Sequence, residues 1–255
     1  DMQWNTEKKL KITCSDGQLL GYSPVLKGED SVWVSETGGT FEYESKKFSG
    51  RNGTITWEKT GLKKSETFAE LKGYRIAMTD VVLKADTVSL TTPYFTSPIL
   101  GALVDKSKDR LEDQDGAPLF SSFSQRLRIT ELKEFMDFDG GFSLQGSRVV
   151  GAGKKGNPAT LIFKYKNKPT LIVSSLHFDI DPTRILSREA SLKLVYPNGD
   201  SLVHPSGLFE FEVPKKQLLY TAAKRGSFVV PFMDYHFNVT NNAPVLKWEP
   251  GTAFP

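Results

Sequence analysis

Apolar and polar residues alternate along most of this chain, and this period of two restricts its fold more than any other feature. Successive side chains of a β-strand point to opposite faces, so alternation sends one set of side chains into a core. The alternating segments include Phe41 and Tyr43, Ile55 and Trp57, Tyr74 to Met78, Leu161 to Tyr165, Leu176 to Ile180, and Phe209 to Val213. These segments are typical of half-buried strands.

Turn-forming pairs separate the alternating segments. Asp16-Gly17, Asn52-Gly53 and Asn198-Gly199 each favour the tight reversal that joins antiparallel neighbours. The sequence therefore predicts an all-β fold of stacked antiparallel sheets, elongated, with at most one or two short helices. A jelly roll, a solenoid and a β-sandwich all produce short alternating strands with frequent turns, so the sequence leaves these arrangements open.

One stretch of the chain lacks regular alternation. Apolar spacing lapses after residue 100, and Asp, Lys and Gly accumulate there. We interpret residues 101–126 as a charged connection between two β-rich halves, at 1–100 and 127–255. The alternative is one continuous β domain.

Helical spacing is scarce in this sequence. The best candidate is the segment 130–138, in which Leu132, Phe135 and Met136 would share one helix face and Thr130 would cap the N-terminus. We therefore expect a short helix there. The segment 106–113 is charged nearly throughout and is compatible with a helix or with a loop.

Charge and composition exclude several classes of protein. The 255 residues carry 33 lysines and arginines against 30 aspartates and glutamates, so the formal net charge is only +3. Proteins that coat nucleic acid normally show a much larger basic excess, and we expect no nucleic-acid partner. No apolar run approaches the roughly 20 residues that cross a bilayer as a helix, so no transmembrane segment is expected. The single cysteine, Cys14, excludes an internal disulfide and a cysteine-based zinc site.

The row formed by His177, Asp179 and Asp181 is the candidate metal site. In a strand, these three side chains project from one face while Phe178 and Ile180 point into the core. Such a row can bind a divalent cation, or act as a base with an orienting carboxylate. Alternation alone equally predicts a solvated outer face, since a cation needs further ligands from other strands. No other cofactor is predicted.

Three lysines are candidates for ligand binding. Lys164, Lys166 and Lys168 alternate with Phe163 and Tyr165, which predicts a strand with a lysine-lined outer face. Such a face can contact anionic glycan or lipid head groups. The alternative is structural, because lysines on an exposed strand also protect a sheet edge from pairing with other chains.

Trp33 and Trp57 are the other candidate ligand-binding residues. An exposed indole can stack on a sugar ring, and two of them in an open groove would indicate a glycan site. Both tryptophans lie in alternating segments beside other apolar residues, where packing in the core is the usual role. Their burial therefore discriminates between the two possibilities.

No catalytic signature is recognisable in the sequence. There are only three histidines, no Gly-x-Ser-x-Gly motif and no Ser-x-x-Lys pair, and Cys14 has no histidine nearby in sequence. We therefore expect a protein without enzymatic activity and name no catalytic residue.

Five short segments occur in a characteristic order, at 53–62, 85–89, 93–95, 139–147 and 200–205. Their series resembles a part of very large, mostly uncharacterised, β-rich envelope proteins of Bacteroidota. The resemblance spans about residues 40–210. It implies an extracytoplasmic location, in the periplasm, outer membrane or cell surface of a Gram-negative bacterium, and a longer natural chain. Other envelope proteins or a cell-surface glycan are the partners it implies.

The expected function is that of a non-enzymatic structural or interaction module of a secreted or periplasmic envelope protein. Two alternatives stay open. One is a carbohydrate-binding or polysaccharide-degrading β-protein, which exposed tryptophans would favour. The other is a lipid-carrying jelly-roll module, because the segment 83–90 is similar to the strand phrase repeated in modules that ferry lipopolysaccharide.

Overall fold

The fold is all-β, as the alternation predicts. A computed structural model describes residues 2–4, 10–14, 16–22, 30–106, 118–133 and 135–250. Strands make up about two thirds of the described residues, and their helical part is the single 3-10 turn Glu58–Thr60. None of the described residues belongs to a helix long and apolar enough to cross a membrane.

The chain divides into two compact units. Unit 1 comprises Asp1–Ser124 and Ser143–Ser147, and unit 2 comprises Gln125–Phe142 and Arg148–Pro255. The strands that begin in unit 1 are β1 (Met2–Trp4), β2 (Leu10–Cys14), β3 (Leu19–Tyr22), β4 (Asp30–Glu42), β5 (Lys47–Thr56), β6 (Phe68–Leu71), β7 (Tyr74–Ala77), β8 (Val82–Thr91), β9 (Ile99–Lys106) and β10 (Leu119–Ser122).

The predicted connection at 101–126 contains strand residues at both ends. Residues 101–106 belong to β9, and all four residues of β10 pair with them in antiparallel register. Residues 107–117, which include most of the charged segment 106–113, lie outside the described residues.

Unit 1 is an antiparallel meander whose long strands are interrupted near their middle. β5 pairs with β7 along its first half and with β6 along its second half, and β8 pairs with the same two strands. β6 and β7 therefore act as one strand that breaks at Lys72 and Gly73. The pairing of β8 with β9 shifts register at the same level, between Ala85 and Val88.

Each break switches the set of residues that faces the core. In β8, Ala85 is buried before the break and Val88 after it, and the exposed pair Asp86 and Thr87 lies between them. An extra residue in a strand displaces the side-chain alternation in this way and bends the sheet. A shift in the phase of the alternation is therefore the sequence signal of the bend.

Glycine allows an aromatic ring to cross the strand at two of these bends. A Cβ atom at Gly50 would overlap the Tyr74 ring, and one at Gly207 would lie 2.6 Å from the Tyr220 ring. The Tyr74 hydroxyl is fixed by a 2.6 Å hydrogen bond with Thr37. Only a residue without a side chain leaves room for the ring, so these glycines are required by close approach.

Unit 2 repeats the same plan with more strands. The last residues of β12, from Ser143, belong to unit 1. The remaining strands are β11 (Leu127–Lys133), β12 (Met136–Gln145), β13 (Arg148–Ala152), β14 (Ala159–Tyr165), β15 (Lys168–Ser175), β16 (His177–Ile180), β17 (Arg184–Val195), β18 (Ser201–Glu212), β19 (Gln217–Ala222), β20 (Lys224–Arg225), β21 (Phe228–Val229), β22 (Phe232–Asp234), β23 (Val239–Asn241) and β24 (Val245–Trp248).

Broken strands again lie beside continuous ones in unit 2. β15 and β16 both pair with β17, and they are separated at Leu176. β19 and β22 both pair with β18, and the short ribbon β20–β21 is inserted between them. β24 and β23 complete the meander by pairing with β19 and β22.

The sheet of each unit folds over so that distant strands face each other across a core. In unit 2, the ring of Phe163 on β14 lies 6.2 Å from that of Trp248 on β24, although β15, β17, β18 and β19 separate them in the sheet. In unit 1, Trp33 on β4 reaches Asp105 on β9. This arrangement is the sandwich-like form of the predicted stacked sheets.

The predicted helix at 130–138 is wrong, because residues 130–133 belong to β11 and residues 136–138 belong to β12. Glu131 has a left-handed backbone, with φ 55°, where the register of β11 against β12 shifts. The bulge places Ile129, Leu132 and Met136 on the buried side. Their spacing of three and four residues imitates that of a helix.

Candidate functional site

Both candidate tryptophans are buried in unit 1. Trp57 is completely inaccessible and its Nε1 donates to the carbonyl oxygen of Pro118 at 3.0 Å. Trp33 is 8% exposed and its Nε1 donates to Asp105 Oδ2 at 2.6 Å. Buried indoles cannot stack on a sugar, so the prediction that these tryptophans bind a ligand loses its basis.

The three candidate lysines do not share a face. Lys164 lies in β14, and its Nζ is 2.7 Å from the buried Asp137 Oδ2. Lys166 has φ 50° in the turn after β14, with its Nζ 5.3 Å from the centre of the Tyr165 ring. Lys168 begins β15 and is exposed. The lysine-lined face predicted from the alternation is therefore not assembled.

His177 and Asp179 come together, and Asp181 does not join them. His177 Nε2 lies 3.2 Å from Asp179 Oδ1, and Arg148 Nη1 lies 3.7 Å from the same oxygen. Asp181 Oδ1 accepts hydrogen bonds from the hydroxyl and the backbone N–H of Thr183. Within the described residues, no three His, Cys, Asp or Glu side chains converge to hold a metal. The predicted divalent-cation site is therefore not formed by this row.

His204 is held in the core of unit 2. Its Nε2 lies 2.8 Å from the carbonyl oxygen of Val230 and therefore carries a proton that it donates. Its Nδ1 lies 2.9 Å from the Tyr220 hydroxyl, which also lies 2.7 Å from the carbonyl oxygen of Ala190. Both ring nitrogens are thus engaged, so this imidazole serves the packing of β18 against β19.

Asp105 is a buried carboxylate that the sequence analysis does not single out. It is 6% exposed, and Trp33 donates to it. Burial raises the pKa of the Asp105 carboxyl above its usual value, against the opposing effects of the Trp33 hydrogen bond and the Lys59 charge. Burial also lowers the pKa of Lys59. The charged form of Asp105 therefore reduces the stability of unit 1.

The variant Asp105→Asn is expected to gain stability relative to the parent chain as pH rises from about 3 to about 7. A raised folded-state pKa means that the folded chain binds the proton more tightly than an unfolded aspartate of pKa about 3.9. The parent therefore loses stability as this proton dissociates. The variant does not, because Asn at position 105 has no charge and its side-chain oxygen still accepts the hydrogen bond from Trp33. Urea unfolding at several pH values measures the difference, with Asp80→Asn in an exposed turn as control. A difference that is flat or falls with pH contradicts the argument.

Asp137 is a second buried carboxylate, in β12, and its environment is the opposite of that of Asp105. It is 1% exposed; Lys164 Nζ lies 2.7 Å and Arg128 Nη2 3.5 Å from its Oδ2. Its Oδ1 accepts a 3.0 Å hydrogen bond from the backbone N–H of Glu131. Desolvation favours the neutral acid, but these three donors together hold the pKa of Asp137 below its usual value. The carboxylate stabilises the bulge in β11.

A polar network fixes the turn between β22 and β23. Asp234 Oδ1 accepts hydrogen bonds from the backbone N–H groups of His236 and Phe237, at 2.9 and 3.2 Å. The Tyr196 hydroxyl donates to Asp234 Oδ2 at 2.8 Å, and burial together with this carboxylate raises the pKa of Tyr196 to about 12. His236 Nδ1 lies 2.8 Å from Asp200 Oδ2. Asp234 thus fixes the backbone of this turn, and Asp200 fixes the ring of His236.

Large apolar side chains are exposed on this turn and at other positions of the segment 228–245. Phe237 is 68% exposed and Tyr235 56%. Four further residues between 228 and 245 are also exposed: Phe228, Met233, Val239 and Val245. We call these six residues the C-terminal apolar surface. Exposed apolar side chains concentrated in this way mark interaction sites more often than scattered ones do.

An open groove of about 440 Å³ lies in unit 1 at the break between β6 and β7. Its lining includes three cations, Lys72, Arg75 and Lys84, and one carboxylate, Asp86. Arg75 Nη2 lies 3.1 Å from Asp86 Oδ2. The groove has no local sequence pattern, because Lys84 on β8 meets Lys72 and Arg75 only through the pairing of β7 with β8.

Comparison of the chain with protein-family models, with curated proteins and with solved structures finds no match. The function is therefore inferred from the chain's own residues. The resemblance to Bacteroidota envelope proteins stays a prediction.

Proposed function

We propose that this chain is a non-enzymatic interaction module of a secreted or periplasmic envelope protein, and that its C-terminal apolar surface contacts another envelope protein. The observation that carries the proposal is the exposure of Phe237 and Tyr235 on a turn that is fixed in place. Exposed aromatic residues are the commonest anchors of protein interfaces.

The network around Asp234 supports a binding role for this turn. A flexible loop loses conformational entropy when it is immobilised in an interface, and a loop that is already fixed loses less. Tyr196, Asp200 and Asp234 hold the turn from strands and turns of the same unit. Four hydrogen bonds and a contact of 5.8 Å between the rings of Tyr196 and His236 restrain a turn whose residues 235–238 are exposed. A binding role explains that restraint.

The environment of the histidines supports the non-enzymatic part of the proposal. His204 has both ring nitrogens engaged in the core, His177 pairs with Asp179, and His236 pairs with Asp200. No described serine, threonine or cysteine forms a hydrogen bond with a histidine ring nitrogen through its side chain. An activated nucleophile requires such a base within reach. The extracytoplasmic location follows from the resemblance alone.

Site-specific photo-cross-linking in cells that naturally produce the chain tests the proposal. A photoreactive amino acid at position 237 should give a protein adduct that the same group at position 43 does not give, since Tyr43 is 62% exposed in unit 1. The cross-linked protein is then purified. Phe237→Ser should weaken its binding at least about tenfold, as expected for an aromatic anchor, and Tyr43→Ser should leave it unchanged.

Two results would reject the proposal. One is an adduct at position 237 that contains lipid or glycan and no protein. The other is a purified partner whose affinity is equally reduced by Phe237→Ser and Tyr43→Ser. Both variants should unfold at the same temperature as the parent, because both rings are exposed. This control shows that the fold is retained.

A further inference from the structure

We propose that the groove between β6 and β7 binds a small acidic saccharide, that is, a mono- or disaccharide carrying a carboxylate or a phosphate. The site lies within unit 1 and is independent of the C-terminal apolar surface, so neither test depends on the other. Its volume, about 440 Å³, falls in the range of small-molecule sites.

The groove exists because the sheet pairing stops on both sides of one short segment. β5 pairs with Leu71 and again with Tyr74, and β8 pairs with Leu71 and again with Arg75. Lys72 and Gly73 take part in neither ladder among the described residues. Both residues line the groove, and no register pairs them with a residue of β5 or β8. Backbone N–H and C=O groups outside a ladder are strong donors and acceptors for a ligand.

The corresponding break in unit 2 is closed by side chains. Between β15 and β16, the Ser175 hydroxyl donates to the carbonyl oxygen of Glu189 and accepts from the backbone N–H of His177. Ser187 donates to the same hydroxyl at 2.8 Å. A break in these sheets can thus be filled from within the fold. At Lys72 and Gly73 it is left open.

The charges of the groove favour an anion. Arg75 and Lys84 are directly opposite each other in the pairing of β7 with β8, and both side chains are exposed on the outer face. Like charges in this position destabilise a sheet. Asp86 compensates Arg75, but neither Lys72 nor Lys84 forms an ion pair with any described residue. An anion between these cations would remove the repulsion.

The other groups of the groove fit the hydroxyls of a sugar. Ser49 and Thr87 contribute hydroxyl groups and Asp86 a carboxylate, while Tyr74 and Gly50 complete the lining. A sugar ring presents many hydroxyls that both donate and accept, and the mixture of hydroxyl, carboxylate and backbone groups can satisfy both roles. The groove therefore matches a ligand that is polar over its surface and acidic at one point.

Gly73 provides a variant that blocks the groove and leaves the fold intact. A Cβ atom added at Gly73 meets only the carbonyl oxygen of Gly50, at 3.9 Å, so Gly73→Asp fits sterically. It places a negative charge beside Lys72 and Arg75. Lys84→Gln removes one cation and keeps a polar side chain that is only one atom shorter. Lys193→Gln is the matched control, because Lys193 is an exposed lysine of β17, in the other unit.

Titration of the isotope-labelled chain, followed by amide NMR, tests the proposal. A glucuronate-containing disaccharide and glucose 6-phosphate are compared with neutral cellobiose and with inorganic phosphate. We expect the acidic sugars to shift the amide signals of Gly50, Gly73 and Thr87. Lys84→Gln should weaken binding about tenfold, which is the usual effect of losing one charge-assisted hydrogen bond, and Gly73→Asp should abolish it. Binding should also weaken as salt increases.

Several results would overturn the proposal. Equal binding of cellobiose would show that the cations are irrelevant, and equal binding of inorganic phosphate would show a simple anion site without sugar recognition. Shifts that survive Gly73→Asp, or that Lys193→Gln removes equally, would place the ligand elsewhere. If neither acidic sugar shifts these amide signals at millimolar concentration, the groove does not bind acidic sugars. A preference for the glucuronate or for the phosphate sugar identifies the acidic group.

Discussion

Phe163→Ala is expected to lower the free energy of unfolding by about 3–5 kcal/mol, the range for removing a fully buried phenylalanine. Phe163 on β14 is completely inaccessible. Its ring lies between 5.4 and 6.4 Å, centre to centre, from those of Phe135, Phe209, Phe211 and Trp248. The truncation leaves a cavity between the facing strands of the folded sheet, and large rigid rings around it cannot collapse into the space.

Urea unfolding monitored by tryptophan fluorescence measures this effect, since Trp248 lines the same space. Phe228→Ala is the matched control, because Phe228 is 79% exposed and its removal should change the free energy by no more than about 0.5 kcal/mol. Phe163→Leu should fall between the two. A loss of less than about 1 kcal/mol in Phe163→Ala would show that β14 does not face β24 across a core.

The residues around Phe163 also show how far the sequence predicts the fold. Leu161 and Phe163 are buried whereas Ile162 and Lys164 are only half-buried, as the period of two indicates. Alternation assigns each residue to a face within a few positions, and this is a local property. The sequence does not indicate that β14 faces β24. Phe163 and Trp248, which make this contact, are 85 positions apart, and their contact depends on the accumulated bends of the strands between them.

The misassigned segments are the positions where the alternation changes phase. Leu176 has the spacing of Phe178 and Ile180 but is 53% exposed, because the break between β15 and β16 displaces it from the buried face. The bulge at Glu131 produces the helix-like spacing of β11 in the same way. A search for two adjacent polar residues between alternating runs would have found these breaks from the sequence.

The candidate sites were harder to predict than the strands. Trp33 and Trp57 are buried, which their position in alternating apolar segments already favours. Their hydrogen-bond partners, however, are 72 and 61 positions away in the sequence. In the sequence, the cations of the groove look like any other outer-face residues. Only the pairing of Arg75 with Lys84 shows that they lie together. A site made of single residues from separate strands has no local pattern, so only the register of the sheet reveals it.

Asp137→Ala is expected to cost about 3 kcal/mol of unfolding free energy. Removing one partner of a buried ion pair leaves the other charge without compensation, and the cost is at the lower end because Lys164 is 27% exposed. The backbone N–H of Glu131, which has φ 55°, loses its acceptor at the same time. The control is Asp139→Ala, whose ion pair with Arg126 is half exposed and should contribute less than about 1 kcal/mol.

A double-mutant cycle with Lys164→Ala isolates the ion pair from the backbone contact. We expect Asp137→Ala to cost less in the Lys164→Ala background than in the parent, since the uncompensated cation is then absent. The remaining cost measures the support that the carboxylate gives to the bulge at Glu131. Equal costs in both backgrounds would mean that the 2.7 Å contact between Lys164 and Asp137 contributes nothing.

The pH dependence of Asp137→Asn is expected to be the opposite of that of Asp105→Asn. The folded-state pKa of Asp137 is depressed below that of an unfolded aspartate, about 3.9. Its stabilising effect is therefore complete above about pH 4 and is lost as pH falls through the folded-state pKa. The deficit of Asp137→Asn relative to the parent should be constant between about pH 5 and pH 7 and should shrink in acid. Parallel slopes for the two variants would contradict the assignment, because donors surround Asp137 whereas desolvation dominates at Asp105.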